Sequence, residues 1–271
     1  METVVVDGIK LKYEVSGSGE AAIFIHGAFI ADSFRPLLFE PVLAQHYKLI
    51  MYHRRGYAGS SHSGVPVSIA QQAADCRAVL RHLGIERAHI VGHSLGGCIA
   101  IQFALDAPDV VQTLALLEPA LIVGSTGQSY RGAILHGQQR YRDGAREQVI
   151  DESMQARYGA GYLAPLEHIL PRAFEQAVAN AATSFELDLP GWLEWRFGEL
   201  EAKRITQPVL AVTGSESNVL WARFGETHRL LLEWFPTIEG FVLPGAAHGL
   251  QLQNPRGMAK ALADFWARHP I

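Results

Sequence analysis

Residues 90–100 read IVGHSLGGCIA, and they set how the rest of the chain is read. Gly92-His93-Ser94-Leu95-Gly96 is a Gly-x-Ser-x-Gly pattern. In a chain this rich in glycine the bare pattern arises by chance about one time in ten, so its surroundings carry the inference. Ala88 to Val91 is an apolar run suited to a short buried strand, and Cys98, Ile99, Ile101, Gln102, Phe103 and Leu105 suit a mostly buried helix. A serine between them sits at a sharp strand-to-helix corner, its hydroxyl exposed above a sheet edge. Glycine at 92 and 96 fits that corner because a strand turning at once into a helix leaves no room for side chains on either side of the apex. A strained backbone is expected at Ser94, and the following helix aims the Leu95 N–H where an oxyanion would form. The plain alternative is a glycine-rich turn with a bystander serine.

At 271 residues the chain is long enough for a large core, with 48% hydrophobic residues. Twenty-three Lys and Arg against 27 Asp and Glu leave a net charge of -4, without the basic footprint that nucleic-acid contacts require. No apolar run approaches membrane-spanning length, and the opening METVVVDGIKLKYEVSGSGE has no charged segment leading into an apolar one. The expectation is a soluble cytoplasmic protein with neither a nucleic-acid nor a membrane partner, as a monomer or homodimer. Cys76 and Cys98 belong to no disulfide framework or metal spacing and read as small core residues.

Thr3 to Val6 and Leu11 to Val15 are strand-like and flank Asp7-Gly8, a tight hairpin signal. Ala21 to Ile25 is a continuous apolar run ending in His26-Gly27-Ala28-Phe29, and Tyr47 to Tyr52 ends in His53-Arg54-Arg55-Gly56-Tyr57. Leu37 to Gln45 suits a helix. Ser68 and Gln71 form a capping box for a helix carrying Ile69, Ala73, Cys76, Leu80 and Leu83, stopped by Gly84. Thr113 to Leu117 is a strand ending in Glu118-Pro119. After residue 203 the rhythm resumes with strands at Val209 to Thr213 and Gly240 to Leu243, a helix at Trp221 to Trp234, and a last helix opened by Asn254-Pro255. This alternation implies an α/β fold, a mostly parallel sheet flanked by helices. Residues 1–120 and 204–271 form its core, and 121–203, without a strand signal, form a helical lid.

A serine hydroxyl needs a base and a carboxylate that orients it. His248 follows the last strand in Leu243-Pro244-Gly245-Ala246-Ala247-His248-Gly249, at the carboxyl end of the sheet where catalytic groups gather. His93, His26 and His53 line the site without carrying protons, whereas His82, His136, His168, His228 and His269 fall in helix-like stretches. Two carboxylates compete: Glu118 after one strand and Glu216 after the next.

These residues resemble the α/β-hydrolases, and the likeness covers essentially the whole chain. It rests on His26-Gly27, Arg55-Gly56, Gly92-His93-Ser94-Leu95-Gly96-Gly97 and Gly245-Ala246-Ala247-His248, in the family's order. The resemblance implies Ser94 as nucleophile, His248 as general base, and the Leu95 and Ala28 N–H groups as the oxyanion hole. The commonest family pattern has aspartate where this chain has Ser217. Branches such as haloalkane dehalogenases and certain lactonases instead carry glutamate about 24 positions past the nucleophile, and Glu118 lies 24 past Ser94. Glu118 is therefore favoured over Glu216. Dehalogenation needs aspartate at position 94, so serine there favours acyl transfer.

Phe29, His93, Trp192 and Trp195 are candidate substrate contacts, with Leu193 and Phe197 in the same aromatic cluster. No Arg or Lys pair stands out as an anion clamp. The expected activity is hydrolysis of a carboxylic ester or lactone without cofactor or metal. The alternatives are carbon-carbon bond hydrolysis of a diketone-like substrate and a small-molecule receptor retaining the fold.

Overall fold

In the computed structural model, which describes residues 1–271, Asp7 and Gly8 both adopt positive φ (48° and 79°) and reverse the chain between β1 (Glu2–Val6) and β2 (Ile9–Ser16). That is the turn an Asp-Gly pair favours between antiparallel strands. The other strands are β3 (Glu20–Ile25), β4 (Tyr47–Tyr52), β5 (Ala88–His93), β6 (Val111–Leu117), β7 (Val209–Gly214) and β8 (Ile238–Leu243). They form one sheet in the order β1-β2-β4-β3-β5-β6-β7-β8, antiparallel only at the β1–β2 and β2–β4 pairings. Successive side chains of β3 alternate between two cores: Ala21, Ile23 and Ile25 pack on one face, Ala22 and Phe24 on the other. A strand covered on both faces reads as a continuous apolar run, which is why EAAIFI lacks alternation.

The helices begin with α1 (Pro41–Ala44), α2 (Ile69–His82) and α3 (Leu95–Asp106). The single helix expected over 37–45 is divided into a 3₁₀ turn at Arg35–Phe39 and α1, because Glu40 precedes Pro41 and is extended (ψ 117°). Ser68 Oγ accepts the Gln71 N–H at 3.0 Å at the start of α2, and Gly84 (φ 66°) ends it, with the Ile85 N–H bonded to the Leu80 carbonyl.

Between β6 and β7 the chain is helical: α4 (Gly127–Arg142), α5 (Arg146–Tyr158), α6 (Leu163–Ile169), α7 (Ala173–Ala179), a π-helical stretch at Thr183–Asp188, α8 (Leu189–Glu194) and α9 (Glu199–Ala202). Past β7 come α10 (Ser217–Leu220), α11 (Arg223–Trp234), α12 (Leu250–Gln253) and α13 (Pro255–Ala267). Trp221 does not open α11 as expected; it is extended, with its ring edge-on to Tyr130 at 5.2 Å. Asn254 caps α13 through the Gly257 N–H at 2.9 Å. No helix is long and apolar enough to cross a membrane.

A buried ion pair ties the helical segment to the sheet. Asp188 accepts from Arg54 Nη1 at 2.9 Å, from the Tyr57 hydroxyl at 2.6 Å and from Gln72 Nε2 at 3.1 Å, and both charged side chains are 1% exposed. Removing one member of such a pair leaves a buried, uncompensated charge. Arg54→Met is therefore expected to cost about 3–5 kcal/mol. Adding Asp188→Leu should restore part of that loss in urea unfolding; strictly additive losses would show the two charges to be uncoupled.

Candidate active site

Ser94 occupies the corner between β5 and α3 at φ 54° and ψ -119°, a conformation that side-chain-bearing residues rarely adopt. Its N–H bonds to the Leu117 carbonyl at 3.0 Å, and its carbonyl accepts from Gly97 and Ala120, each at 2.9 Å. Steric fit explains the flanking glycines. A Cβ on Gly96 would strike the carbonyl oxygens of Ile25 and His26, and one on Gly92 would strike Gly96. The glycines thus let the end of β3 lie directly against the start of α3. Phe29 (φ 69°) and Glu118 (φ 43°) join Ser94 among the six non-glycine residues at positive φ, each costing on the order of 1–3 kcal/mol.

Arg54 sets the loop that follows β3. Its Nε and Nη2 donate to the carbonyls of His26 (3.1 Å) and Gly27 (2.8 Å). His26 Nε2 accepts the Arg54 backbone N–H at 3.0 Å, so the proton sits on Nδ1, which donates to Gly27 at 2.8 Å. Burial holds that imidazole neutral, well below its ordinary pKa. A trans peptide points its C=O and N–H in opposite directions, so turning the Gly27 carbonyl toward Arg54 turns the Ala28 N–H away from it. The Ala28 N–H has no protein acceptor, the Phe29 N–H is taken by Ser184 Oγ at 3.1 Å, and Leu95 heads α3, where no earlier turn receives its proton. Ala28 and Leu95 line the same cavity as Ser94.

His248 is fixed at three points. Its Nδ1 pairs with Glu118 Oε2 at 2.8 Å, its N–H bonds to the Arg157 carbonyl at 3.1 Å, and its carbonyl accepts from His93 Nε2 at 2.8 Å. A carbonyl only accepts, so His93 carries its proton on Nε2. Burial, followed by the nearby His248, lowers the His93 pKa to about 3. The other oxygen of Glu118 receives Thr213 Oγ1 at 2.9 Å and the Gly214 N–H at 2.8 Å. These donors leave a carboxylate acceptor facing His248 Nδ1–H, so Nε2 is the basic nitrogen.

The local charges push the two partners in defined directions. Burial raises the Glu118 carboxyl above its ordinary value, while Ser217, Gly214, Thr213 and Arg223 pull the other way. Ser217 Oγ lies near enough to bear on that carboxylate without meeting hydrogen-bond geometry. Burial, then Arg223 and Arg157, hold His248 neutral well below 6.5. Arg223 is itself buried, stacked between the rings of Tyr130 (3.9 Å) and Phe224 (4.2 Å), and none of its three side-chain nitrogens has a protein acceptor.

Ser94 and His248 open onto a cavity of about 100 Å³, with Phe29, His93 and Trp192 on its wall. Four of the candidates read from sequence lie elsewhere. Trp195 stacks on Phe197 at 5.6 Å and donates to Gln102 Oε1 at 2.8 Å, away from the cavity. Glu216 is exposed and accepts from its neighbour Ser215 at 3.0 Å, so the alternative acid does not face His248. His53 pairs with Asp32 at 3.0 Å, and His26 is buried behind the loop that it orders. Sequence reasoning missed Tyr130, Met154, Arg157 and Phe185, all on the cavity wall, and the Arg54–Asp188 pair. Asp188 stands at the N-cap position of α8 but makes no capping bond, its carboxylate being turned to Arg54 instead.

Over 136 residues the chain is 35% identical to the dihydrolipoyllysine-residue acetyltransferase component of the acetoin cleaving system of Cupriavidus necator. That match takes in 50% of this chain and 36% of the relative, so the chain spans little more than a third of it. It is 25% identical over 270 residues to 2-(acetamidomethylene)succinate hydrolase of Mesorhizobium japonicum, covering 95% of this chain and 91% of that one. A thermophilic esterase from Thermogutta terrifontis superposes with a TM-score of 0.83 at 18% identity, over 99% of this chain and 97% of the other, which speaks to the fold alone. The family model described as alpha/beta hydrolase fold matches residues 22–255, and this chain belongs to the α/β-hydrolase fold family.

Proposed function

We propose that this protein is a cofactor-independent serine hydrolase that cleaves a carboxylic ester or lactone through an acyl-enzyme on Ser94. One observation carries the reading: His248, tied to Glu118 at 2.8 Å, shares a mostly apolar cavity with Ser94 and with the Ala28 and Leu95 residues whose amide protons are free. Ser94 Oγ attacks the carbonyl carbon as its proton passes to His248 Nε2. The Ala28 and Leu95 amides hold the oxyanion, a contribution of about a hundred- to a thousandfold per donor. The imidazolium, stabilised by Glu118, then protonates the departing alkoxide. Water attacks the acyl-enzyme with His248 again as base, releasing the acid and restoring Ser94. Helices α4, α5 and α8 act as the lid, excluding bulk water with Tyr130, Met154 and Trp192. A cavity well under the ~300–1,000 Å³ of drug-sized sites favours a small substrate.

Ser94→Ala should lower kcat by about a millionfold on a panel of short esters and lactones followed by proton release, and Glu118→Gln by about 10⁴-fold. Wild-type rates in either variant would end the proposal.

The acidic limb of kcat/KM reports the base of the free enzyme. With the His248 pKa lowered by burial and its two arginine neighbours, kcat/KM should stay level as pH falls through 6.5 and drop only below it. Arg223→Met removes one depressing charge and should shift that limb upward; a limb at 6.5 in both proteins would contradict the electrostatics described above.

A further inference from the structure

Arg157 is the one charged side chain on a wall otherwise made of hydrophobic, hydroxyl-bearing and neutral imidazole residues, and no carboxylate joins it there. It forms no ion pair anywhere in the protein. Its guanidinium is anchored on its own helix, α5, by Nη1 donating to the Ser153 carbonyl at 2.7 Å, while Nε and Nη2 take no protein acceptor and are not sealed from the cavity or solvent. The charge lies close enough to bear on the His248 imidazole, and the Arg157 carbonyl receives the His248 N–H. An unpaired guanidinium in a mostly apolar pocket, with free donors, matches a planar anion that brings its own acceptors.

We propose that the substrate of the Ser94 site is an ester or lactone bearing a carboxylate, which Arg157 binds while the scissile carbonyl lies between Ser94 and the Ala28 and Leu95 amides. The proposal rests on the serine-hydrolase reading and adds the substrate's charge to it. A neutral ester offers the free guanidinium donors no charged acceptor; a carboxylate pairs with them and fixes which end of the substrate lies toward α5. The side chain, not the backbone carbonyl that positions His248, does the binding, so substituting it leaves that His248 contact in place.

Two measurements test this. First, monomethyl esters of the dicarboxylic acids from malonate to suberate, together with acetyl esters of the matching hydroxy acids, are compared with neutral isosteres of equal length. The best anionic member is expected to exceed its isostere at least about tenfold in kcat/KM, with that ratio falling about ten- to hundredfold in Arg157→Gln, through KM, and partly retained in Arg157→Lys. Second, a neutral fluorophosphonate labels Ser94, and the free dicarboxylates are expected to slow that labelling in the wild type and far less in Arg157→Gln; labelling without competitor reports whether each variant keeps an intact site. Neutral isosteres handled as well as the anions, or an absence of protection by any dicarboxylate, overturns the carboxylate proposal while leaving the hydrolase reading standing. A wild type that neither labels at Ser94 nor turns over any member overturns both.

Discussion

Ser94 stands at φ 54° because the chain passes from β5 into α3 with no residue to spare, and the surroundings of the site follow from that turn. The turn is possible only where Gly96 lets the carbonyls of Ile25 and His26 come up against the helix start. That contact brings the loop after β3 beside the serine, so that amides from two distant stretches, Ala28 and Leu95, border one cavity. Ser94 also binds its neighbours through the backbone: its N–H reaches β6 at Leu117 and its carbonyl receives Ala120. The strand end that supplies Glu118 is therefore registered against the serine by main-chain hydrogen bonds, independent of the side chains that do chemistry.

Charge is handled by a second principle: ionised groups are buried deeply beside His26 and His248, in arrangements that leave these two imidazoles neutral. Arg54 is balanced by Asp188, and its remaining donors hold the His26 and Gly27 carbonyls. Arg223 has only aromatic faces around it and Glu118 as its nearby opposite charge, a cation held by ring quadrupoles rather than by hydrogen bonds. Both arginines favour ionised carboxylates and disfavour protonated imidazoles. His26 and His248 share that field; Gly27 and Arg54 occupy both nitrogens of His26, and the His248 carbonyl occupies His93 Nε2, while His248, on the cavity wall, has no protein partner at Nε2.

Local signals were legible where the physics is local. The Asp7-Gly8 hairpin, the caps at Ser68 and Asn254, the apolar central strands and the corner at Ser94 all depend on residues within a few positions of each other. Ser94 and His248 could be singled out because each follows a strand, and strand ends of a parallel sheet converge; the same signal left Glu118 and Glu216 level, and only the family resemblance separated them. The cavity wall was not legible. Trp192 and Trp195 are three residues apart in an aromatic cluster, yet Trp192 turns its indole toward the Ala120 carbonyl (2.6 Å) at the site while Trp195 turns toward Gln102 on α3. Which way each faces is set by how α8 packs, with Gly191 against the Val67 backbone, a tertiary fact absent from the local sequence. Arg157 and Asp188 were missed for the same reason: a charged residue on a helix reads as a solvated face until the partner surface is known.

The placement of Glu118 shows how one position excludes another. Glu118 leaves β6, yet two of its three hydrogen-bond donors, Thr213 Oγ1 and the Gly214 N–H, belong to the neighbouring strand β7. Its carboxylate thus occupies the end of β7, the region that an acid on that strand would fill. Ser217, where the commoner family pattern has aspartate, is fully buried beside this carboxylate. An aspartate there would set a second carboxylate against the first in a buried site, and two like charges that close drive one of the pair to its protonated form. The site therefore has room for a single ionised acid. With glutamate on β6 reaching across to β7, the small hydroxyl at position 217 is what keeps that reach unobstructed and the charge single.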